Sequence, residues 1–166
     1  KPFIDLVKPS YAITLNGARI YHGGGEVHNE PLNRAAVVAL FDWIAARGYN
    51  FGTNRGVVGH LSAITPMTQA PLDAVGIPYE LDRKEYLVED IYQAWLFFDE
   101  SLDATLAPEI VACHPQFDIV RWHKNVVDVM PSGVNKWTGC QWVLAQTGFS
   151  AEQAIAFGDA LNDIEM

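Results

Sequence analysis

The segment from Gly133 to Met166 reads GVNKWTGCQWVLAQTGFSAEQAIAFGDALNDIEM, and its order of elements predicts the fold. A loop leads into a helix from about Lys136 to Thr147, and Gly148 stops that helix. A short apolar stretch, Ala154 to Phe157, then predicts a buried strand. A helix that feeds directly into such a strand is half of a parallel α/β unit. Ligands bind at the carboxyl ends of strands in such sheets, so the residues after Phe157 are candidates for a functional site.

Two acids follow the predicted strand. Asp159 comes directly after Gly158, and Asp163 lies in the first turn of a predicted next helix, behind Asn162. Carboxylates placed in this way can hold a hard cation such as Mg²⁺. The alternative is purely structural, because Asn162 is a good helix N-cap and an acid in the first turn is favoured by the helix dipole. Spacing alone leaves both interpretations open.

Lys136 is the second candidate, because it stands at the predicted start of a helix. A cation at that end opposes the helix dipole, whereas a shared anion would make the position favourable. Phosphate is such an anion, since both ammonium groups and helix N-termini attract it. The alternative is a solvated lysine in a surface turn.

The preceding residues predict a mixed sheet. Two β-prone runs, Tyr11–Leu15 and Ala18–Tyr21, flank Asn16-Gly17, a pair typical of a hairpin turn or of a change of direction between domains. Between that pair and Met130, strands and helices alternate irregularly, which indicates an α+β arrangement with helices on one face of a sheet.

Individual elements of this central region are predicted as follows. A helix covers 34–47, with Asn33 as its N-cap and Gly48 after its end. The Pro- and Gly-rich segment 66–78 is predicted to be mostly loop, and a short helix begins at Ser101 and continues to about Ala107. The predicted strands are 49–53, 92–100, 109–113, 117–122 and 125–130.

Composition narrows the class of protein. The chain is 49% hydrophobic, which excludes a disordered segment, and its net charge of −9 argues against a nucleic-acid-binding surface. No apolar run approaches the length of a membrane span, and we expect a cytoplasmic protein with no membrane partner. Cys113 and Cys140 show no disulfide or metal spacing and are predicted to be buried thiols.

Two motifs together resemble one family. The pattern GVNKWTG…AFGDALNDIEM is similar to the C-terminal signature of Cof-type phosphatases of the haloacid dehalogenase superfamily, and YAITLNGARIY resembles the strand and hinge that lead into their cap domain. The resemblance implies an α/β fold in which an α+β cap is flanked by partial segments of a Rossmann-like core. Residues 1–15 and 131–166 would belong to the core, and 16–130 would form the cap.

The resemblance also implies residue roles. Asp159 and Asp163 would hold Mg²⁺, and Lys136 would neutralise the nucleophile and the transferring phosphoryl group. Asn16 and Asn162 would lie near the substrate, a small phosphorylated metabolite. The family's reaction proceeds by attack of an aspartate on the phosphate ester, and water then hydrolyses the aspartyl-phosphate.

The sequence departs from the family pattern in two ways. The nucleophile motif Asp-x-Asp-Gly-Thr is absent, so we interpret the chain as an excerpt that would be inactive by itself, and Trp137 stands where the family usually has glycine. A phosphotransferase or mutase on the same scaffold, or a binding module without catalysis, stays open. The sequence upstream of Lys1 would distinguish a binding module from an enzyme. Analysis of the reaction products would distinguish a phosphotransferase from a hydrolase.

Overall fold

The chain divides into two compact units. The computed structural model describes residues 6–54, 56–82, 84–158 and 163–166. Unit 1 combines Lys1–Glu30 with Gly133–Met166, and unit 2 is Pro31–Ser132. The observed divisions follow residues 30 and 132, whereas the sequence-based assignment placed them after residues 15 and 130. The assignment of a cap to unit 2 stays a prediction.

Both units mix strands with helices, which confirms the predicted α/β class. In unit 1 the elements are β1 (Tyr11–Thr14), β2 (Arg19–His22), β3 (Gly25–Asn29) and, near the end of the chain, α4 (Lys136–Thr147). In unit 2 they are α1 (Arg34–Ala45), β4 (Asn50–Asn54), β5 (Gly59–Leu61), α2 (Pro66–Val75), β6 (Tyr79–Leu81), β7 (Gln93–Phe97), α3 (Leu106–Cys113), β8 (Phe117–His123) and β9 (Val126–Pro131).

Unit 1 contains an antiparallel three-stranded sheet in the order β1-β2-β3. The pairing of Thr14 with Arg19 closes the first hairpin, so the predicted turn at Asn16-Gly17 is confirmed. The connection is a single 3₁₀ turn, Leu15–Gly17, in which Asn16 adopts left-handed φ and ψ of 53° and 33°. Asparagine tolerates this conformation better than most residues, which explains the choice of Asn before Gly here.

Unit 2 is built on a six-stranded sheet in the order β6-β5-β4-β7-β9-β8. Only β5 and β6 pair in parallel among the described strands. Side chains alternate across β7: Ala94 and Leu96 join the main hydrophobic core, whereas Trp95 and Phe97 belong to a smaller cluster. The sheet therefore carries apolar side chains on both faces.

The main core lies between one face of this sheet and the helices α1 and α3. Helix α1 buries Val37, Leu40, Phe41 and Ile44 at the spacing of one helical stripe. Helix α3 adds Leu106 and Ile110, which are one turn apart. The predicted helix 34–47 is thereby confirmed over Arg34–Ala45, and the side chain of Asn33 accepts a hydrogen bond from the amide of Ala36.

The prediction of a loop at 66–78 is wrong, because helix α2 occupies Pro66–Val75. The hydroxyl of Thr65 accepts from the amide of Thr68, and the hydroxyl of Thr68 accepts from the amide of Thr65. Pro66 at the first helical position costs no hydrogen bond, since that amide has no partner inside a helix. The prolines that suggested a loop include a helix starter and a buried residue, Pro71.

Three further predictions are wrong. Residues 109–113 form part of α3 instead of a strand, because Leu106 and Ile110 bury at helical spacing. Residues 154–157 form no strand: no described strand pairs with them, and Ile155 and Phe157 are 85% and 89% exposed. Cys113 is exposed and Cys140 is half-buried, so the two thiols are not both in a core.

Among the described residues, no helix has the length and apolar character needed to cross a bilayer.

A buried histidine in unit 2 should make stability sensitive to acid. Burial, and secondarily the nearby charge of Arg47, lower the pKa of His114. The folded state therefore disfavours the protonated ring, and stability that is complete above the ordinary histidine pKa of about 6.5 is lost as the pH falls through the lowered value. We expect His114→Gln to lose less stability than the wild type between pH 7.5 and pH 5.5 in urea unfolding. The exposed His22→Gln serves as control, and identical acid losses for all three proteins would contradict the assignment.

Candidate active site

The site in unit 1 begins where helix α4 begins. Asn135 is the N-cap: its side chain accepts a hydrogen bond of 2.9 Å from the amide of Thr138, and the hydroxyl of Thr138 accepts one of 3.0 Å from the amide of Asn135. This reciprocal pair fixes the first turn of the helix. Lys136 is the first helical residue, so the cap determines the position of its backbone.

The Asn16 turn packs directly against this first helical turn. A Cβ on Gly17 would lie 2.1 Å from the carbonyl oxygen of Asn135, and a Cβ on Gly139 would lie 3.0 Å from the Cα of Gly17. The backbone of the turn therefore lies directly against the backbone of the helix, and the Ile13 side chain lies beside this contact, with its Cγ2 2.7 Å from the Gly139 Cβ position. Gly17 also has a φ of +103°, which residues with a side chain rarely adopt. The contact places Asn16 next to the start of the helix that carries Lys136.

Lys136 pairs with Asp163 at the other side of the site. Its Nζ donates to Oδ1 of Asp163 at 2.5 Å, and the side chains are 30% and 11% exposed. A charge-assisted hydrogen bond of this kind is stronger than a neutral one. The carboxylate supplies the anion that the position of Lys136 at a helix N-terminus requires, so the lysine is not the freely solvated residue of the alternative interpretation.

The absence of a side chain at Gly158 lets Asp163 lie directly against the backbone at that residue. A Cβ at residue 158 would lie 2.3 Å from Cβ and 2.7 Å from Cγ of Asp163. Only a residue without a side chain lets the carboxylate group approach the backbone so closely. Any larger residue at 158 would displace Asp163 and, through it, the partner of Lys136.

The structure brings together three of the five predicted site residues, directly or through neighbours. Lys136 and Asp163 form an ion pair, and the turn that contains Asn16 contacts the same helix. Asp159 and Asn162 lie outside the described residues, so their predicted roles stay predictions. Sequence reasoning missed the contact of Gly17 with Gly139, although a glycine inside the predicted helix 136–147 was an available signal.

The chemistry of the described residues fits part of a Mg²⁺ site. Within the described ranges, no three His, Cys, Asp or Glu side chains converge on one point. Mg²⁺ in proteins is bound through one or two carboxylates, with water and substrate phosphate as its other ligands. The Asp163 carboxylate, which lies against Gly158, is a group of the kind that Mg²⁺ prefers, and such a site does not need a cage of protein side chains.

Comparison with known proteins assigns this arrangement to a family. The family model described as haloacid dehalogenase-like hydrolase matches residues 1–166. The chain belongs to that family. The match confirms the resemblance drawn from the two terminal motifs, and it extends across both units.

Individual relatives agree with the family and are longer than the chain. A Streptococcus pyogenes protein, named as a candidate bifunctional phosphatase/peptidyl-prolyl cis-trans isomerase, is 33% identical over 159 residues, which are 94% of this chain and 33% of that protein. A crystal structure of a hypothetical protein from Geobacillus kaustophilus HTA426 superposes with a TM-score of 0.82 at 27% identity, over 99% of this chain and 63% of that one. A haloacid dehalogenase superfamily phosphatase from Bacteroides thetaiotaomicron superposes with a TM-score of 0.84 at 20% identity, over 98% of this chain and 60% of that one, and shows the shared fold.

Proposed function

We propose that the protein is a Mg²⁺-dependent phosphohydrolase that acts on small phosphorylated metabolites. The observation that carries the proposal is the Lys136–Asp163 pair at the capped N-terminus of α4. The chain's membership of a hydrolase family supports it, as does the name of its Streptococcus pyogenes relative. Because the chain spans a third of that relative, the activity is proposed for the full-length protein.

Lys136 would stabilise negative charge on the phosphoryl group during the reaction. Its ammonium group has three donors, and Asp163 takes one of them within the described residues. The side chain is 30% exposed, so the other donors can reach a phosphoryl oxygen. The first helical amides lie at the same end of α4 and favour an anion there. Lys136 would therefore stabilise the charge that develops on the phosphoryl group.

Asp163 would have two tasks in this proposal. It orients the Lys136 ammonium through the 2.5 Å hydrogen bond, and together with Asp159 it would hold Mg²⁺. The ion, when bound, supplies positive charge that polarises the phosphoryl group. Asn16 and Asn162 would contact the substrate.

The nucleophile of the proposed reaction is an aspartate outside this chain. Its carboxylate would attack phosphorus while a second acid protonates the leaving ester oxygen, so that the alcohol departs, and water would then hydrolyse the aspartyl-phosphate to release phosphate and restore the carboxylate. The chain contains no Asp-x-Asp-Gly-Thr motif, so we expect the 166 residues alone to release no phosphate. A cytoplasmic location, and the absence of nucleic-acid and membrane partners, belong to the same proposal.

A panel of phosphate esters tests this function in the full-length protein. We expect phosphate release that requires Mg²⁺ and stops on chelation, and we expect Asp163→Asn to lower kcat/KM about 10- to 100-fold, the range typical of groups that support a metal site. Asp73→Asn changes an exposed carboxylate in unit 2 and should leave the rate unaltered. No release from any ester, or an Asp163→Asn enzyme as active as Asp73→Asn, would refute the proposal.

A further inference from the structure

Helix α4 carries a hydroxyl group to which the proposed reaction gives no role. Thr138 is half-buried and is the third residue of α4. Its Oγ1 accepts a hydrogen bond of 3.0 Å from the amide of Asn135 and donates one of 2.8 Å to the carbonyl oxygen of the same residue. A hydroxyl can do both, because it has one hydrogen and two lone pairs. A single side chain therefore holds both backbone polar groups of the residue before Lys136.

The carbonyl group of Asn135 has two further contacts. The amide of Gly139 donates to its oxygen at 3.3 Å, and the backbone of Gly17 lies so close that a Cβ there would stand 2.1 Å from the same atom. This carbonyl belongs to the peptide group that includes the nitrogen of Lys136, and a peptide group is planar. Contacts that fix the carbonyl therefore also fix the point from which the lysine begins.

Lys136 is consequently held at both ends. The Thr138 hydroxyl and the Gly17 contact fix its backbone, and Asp163 accepts a hydrogen bond from its Nζ at 2.5 Å. A lysine side chain is long and flexible, and it loses conformational freedom when its ammonium group is placed. A backbone that is fixed in advance lowers this cost and narrows the positions that the ammonium group can take.

We propose that Thr138 is a positioning residue for Lys136: its hydroxyl fixes the peptide group before the lysine and so holds the ammonium group in its pair with Asp163. Residues two apart on a helix do not face each other, so the hydroxyl acts through the backbone and not by contact with the ammonium group. The effect on the reaction rate rests on the proposed phosphohydrolase function. The effect on the Lys136–Asp163 pair does not depend on that function.

Two variants of Thr138 separate the hydroxyl from the rest of the side chain. Thr138→Val removes the hydroxyl and keeps the branched shape, whereas Thr138→Ser keeps the hydroxyl. In the full-length protein we expect Thr138→Val to lower kcat/KM about tenfold, the lower end of the range for groups that orient the residues of a metal site. The loss should lie mainly in kcat, because the proposed task of Lys136 is to stabilise charge in the transition state. Thr138→Ser should retain the wild-type rate.

Helix α2 offers a matched control, because the same pattern of bonds begins it. The hydroxyl of Thr68 accepts from the amide of Thr65 at 2.9 Å and donates to the carbonyl oxygen of Thr65 at 3.1 Å. Thr68 has no exposed surface, so Thr68→Val should lose at least as much stability in urea unfolding as Thr138→Val. It should nevertheless leave kcat/KM unaltered. Equal losses of kcat/KM in the two variants would show a general effect of a missing helix cap and would overturn the proposal.

The Lys136→Met background shows whether Thr138 acts through the lysine. If it does, Thr138→Val should cause no further loss of kcat/KM once the ammonium group is absent. A further loss as large as that in the wild-type background would contradict the proposal.

Acetylation of lysines, followed by mass spectrometry, examines the Lys136–Asp163 pair without catalysis, since the pair shields the amine of Lys136 from the reagent. Thr138→Val should raise the acetylation rate of Lys136 relative to exposed Lys124 by up to about fivefold, the limit set by the free energy of a partly exposed ion pair. Thr138→Ser and Thr68→Val should not change it. If the full-length protein hydrolyses no ester, the proposed function fails and this measurement decides alone: an unchanged rate in Thr138→Val overturns the positioning role.

Thermal unfolding identifies a variant that fails to fold. Should Thr138→Val do so, Asn135→Ala takes its place, because it removes the acceptor of the Thr138 amide, whereas Asn135→Ser keeps one. Asn135→Ala should then speed the acetylation of Lys136 and Asn135→Ser should not. Equal acetylation rates in these two variants would overturn the proposal.

Discussion

Replacing Lys136 with methionine should lower kcat/KM for phosphate release by the full-length protein about 10²- to 10³-fold. This is the range found when an active site loses one preorganised group that stabilises transition-state charge. Methionine keeps an unbranched side chain of similar length and removes the ammonium group. Lys136 is the first residue of α4 and its Nζ bonds to Asp163, so no other described residue supplies a cation at this position. Steady-state kinetics with the best ester of the panel gives the measurement.

Lys124→Met is the matched control. Lys124 lies exposed between β8 and β9 of unit 2, so the same chemical change there should leave kcat/KM unaltered. Stability should change little in either variant, because partly exposed ion pairs contribute about 1 kcal/mol or less. A Lys136→Met enzyme with wild-type kcat/KM would remove the central residue from the proposed mechanism.

The double variant distinguishes two reasons for a loss of activity. Lys136→Met could act by removing charge from the phosphoryl group, or by leaving the Asp163 carboxylate without its ammonium partner. If the two residues act as a unit, Lys136→Met combined with Asp163→Asn should cost about as much as the more damaging single change. If the loss in kcat/KM of the double variant instead equals the product of the two single losses, the two side chains act independently.

Helix ends are the part of the fold that the sequence predicted best. Helix α4 spans Lys136–Thr147 as predicted, because its start and stop depend on neighbouring residues alone: Asn135 caps one end and Gly148 takes the left-handed conformation at the other. Helix α2 shows the limit of such reasoning. Its start also depends on a local pair, Thr65 and Thr68, but the prediction of a loop rested on the Pro, Gly and Thr content of the segment and did not consider this cap.

Features that depend on distant segments could not be predicted from local pattern. The apolar stretch 154–157 has the composition of a strand, yet a strand needs a partner, and none of the described strands pairs with it. The same limit applies to the site. Spacing predicted Asp163 as a candidate, whereas its pairing with Lys136 and its fit against Gly158 depend on how the chain folds back.

Replacing Gly17 with alanine should destabilise the protein by about 3 to 5 kcal/mol. Two costs combine: a side chain at a φ of +103° is strained, and its Cβ would overlap the Asn135 carbonyl oxygen at 2.1 Å. Relief requires the first turn of α4 to move, because backbone lies on both sides of the contact. Urea unfolding followed by circular dichroism measures the loss.

Gly56→Ala separates these two costs. Gly56 has the same φ of +103°, but no atom lies within 4 Å of the position where its Cβ would stand. It should therefore cost only the backbone strain, about 1 to 3 kcal/mol. The excess at Gly17 measures the contact with Asn135. That excess should be accompanied by faster hydrogen exchange at the Thr138 amide, which the Asn135 side chain caps at 2.9 Å. Equal losses of stability in the two variants, with hydrogen exchange at Thr138 unchanged, would show that the Leu15–Gly17 turn does not position the helix that carries Lys136.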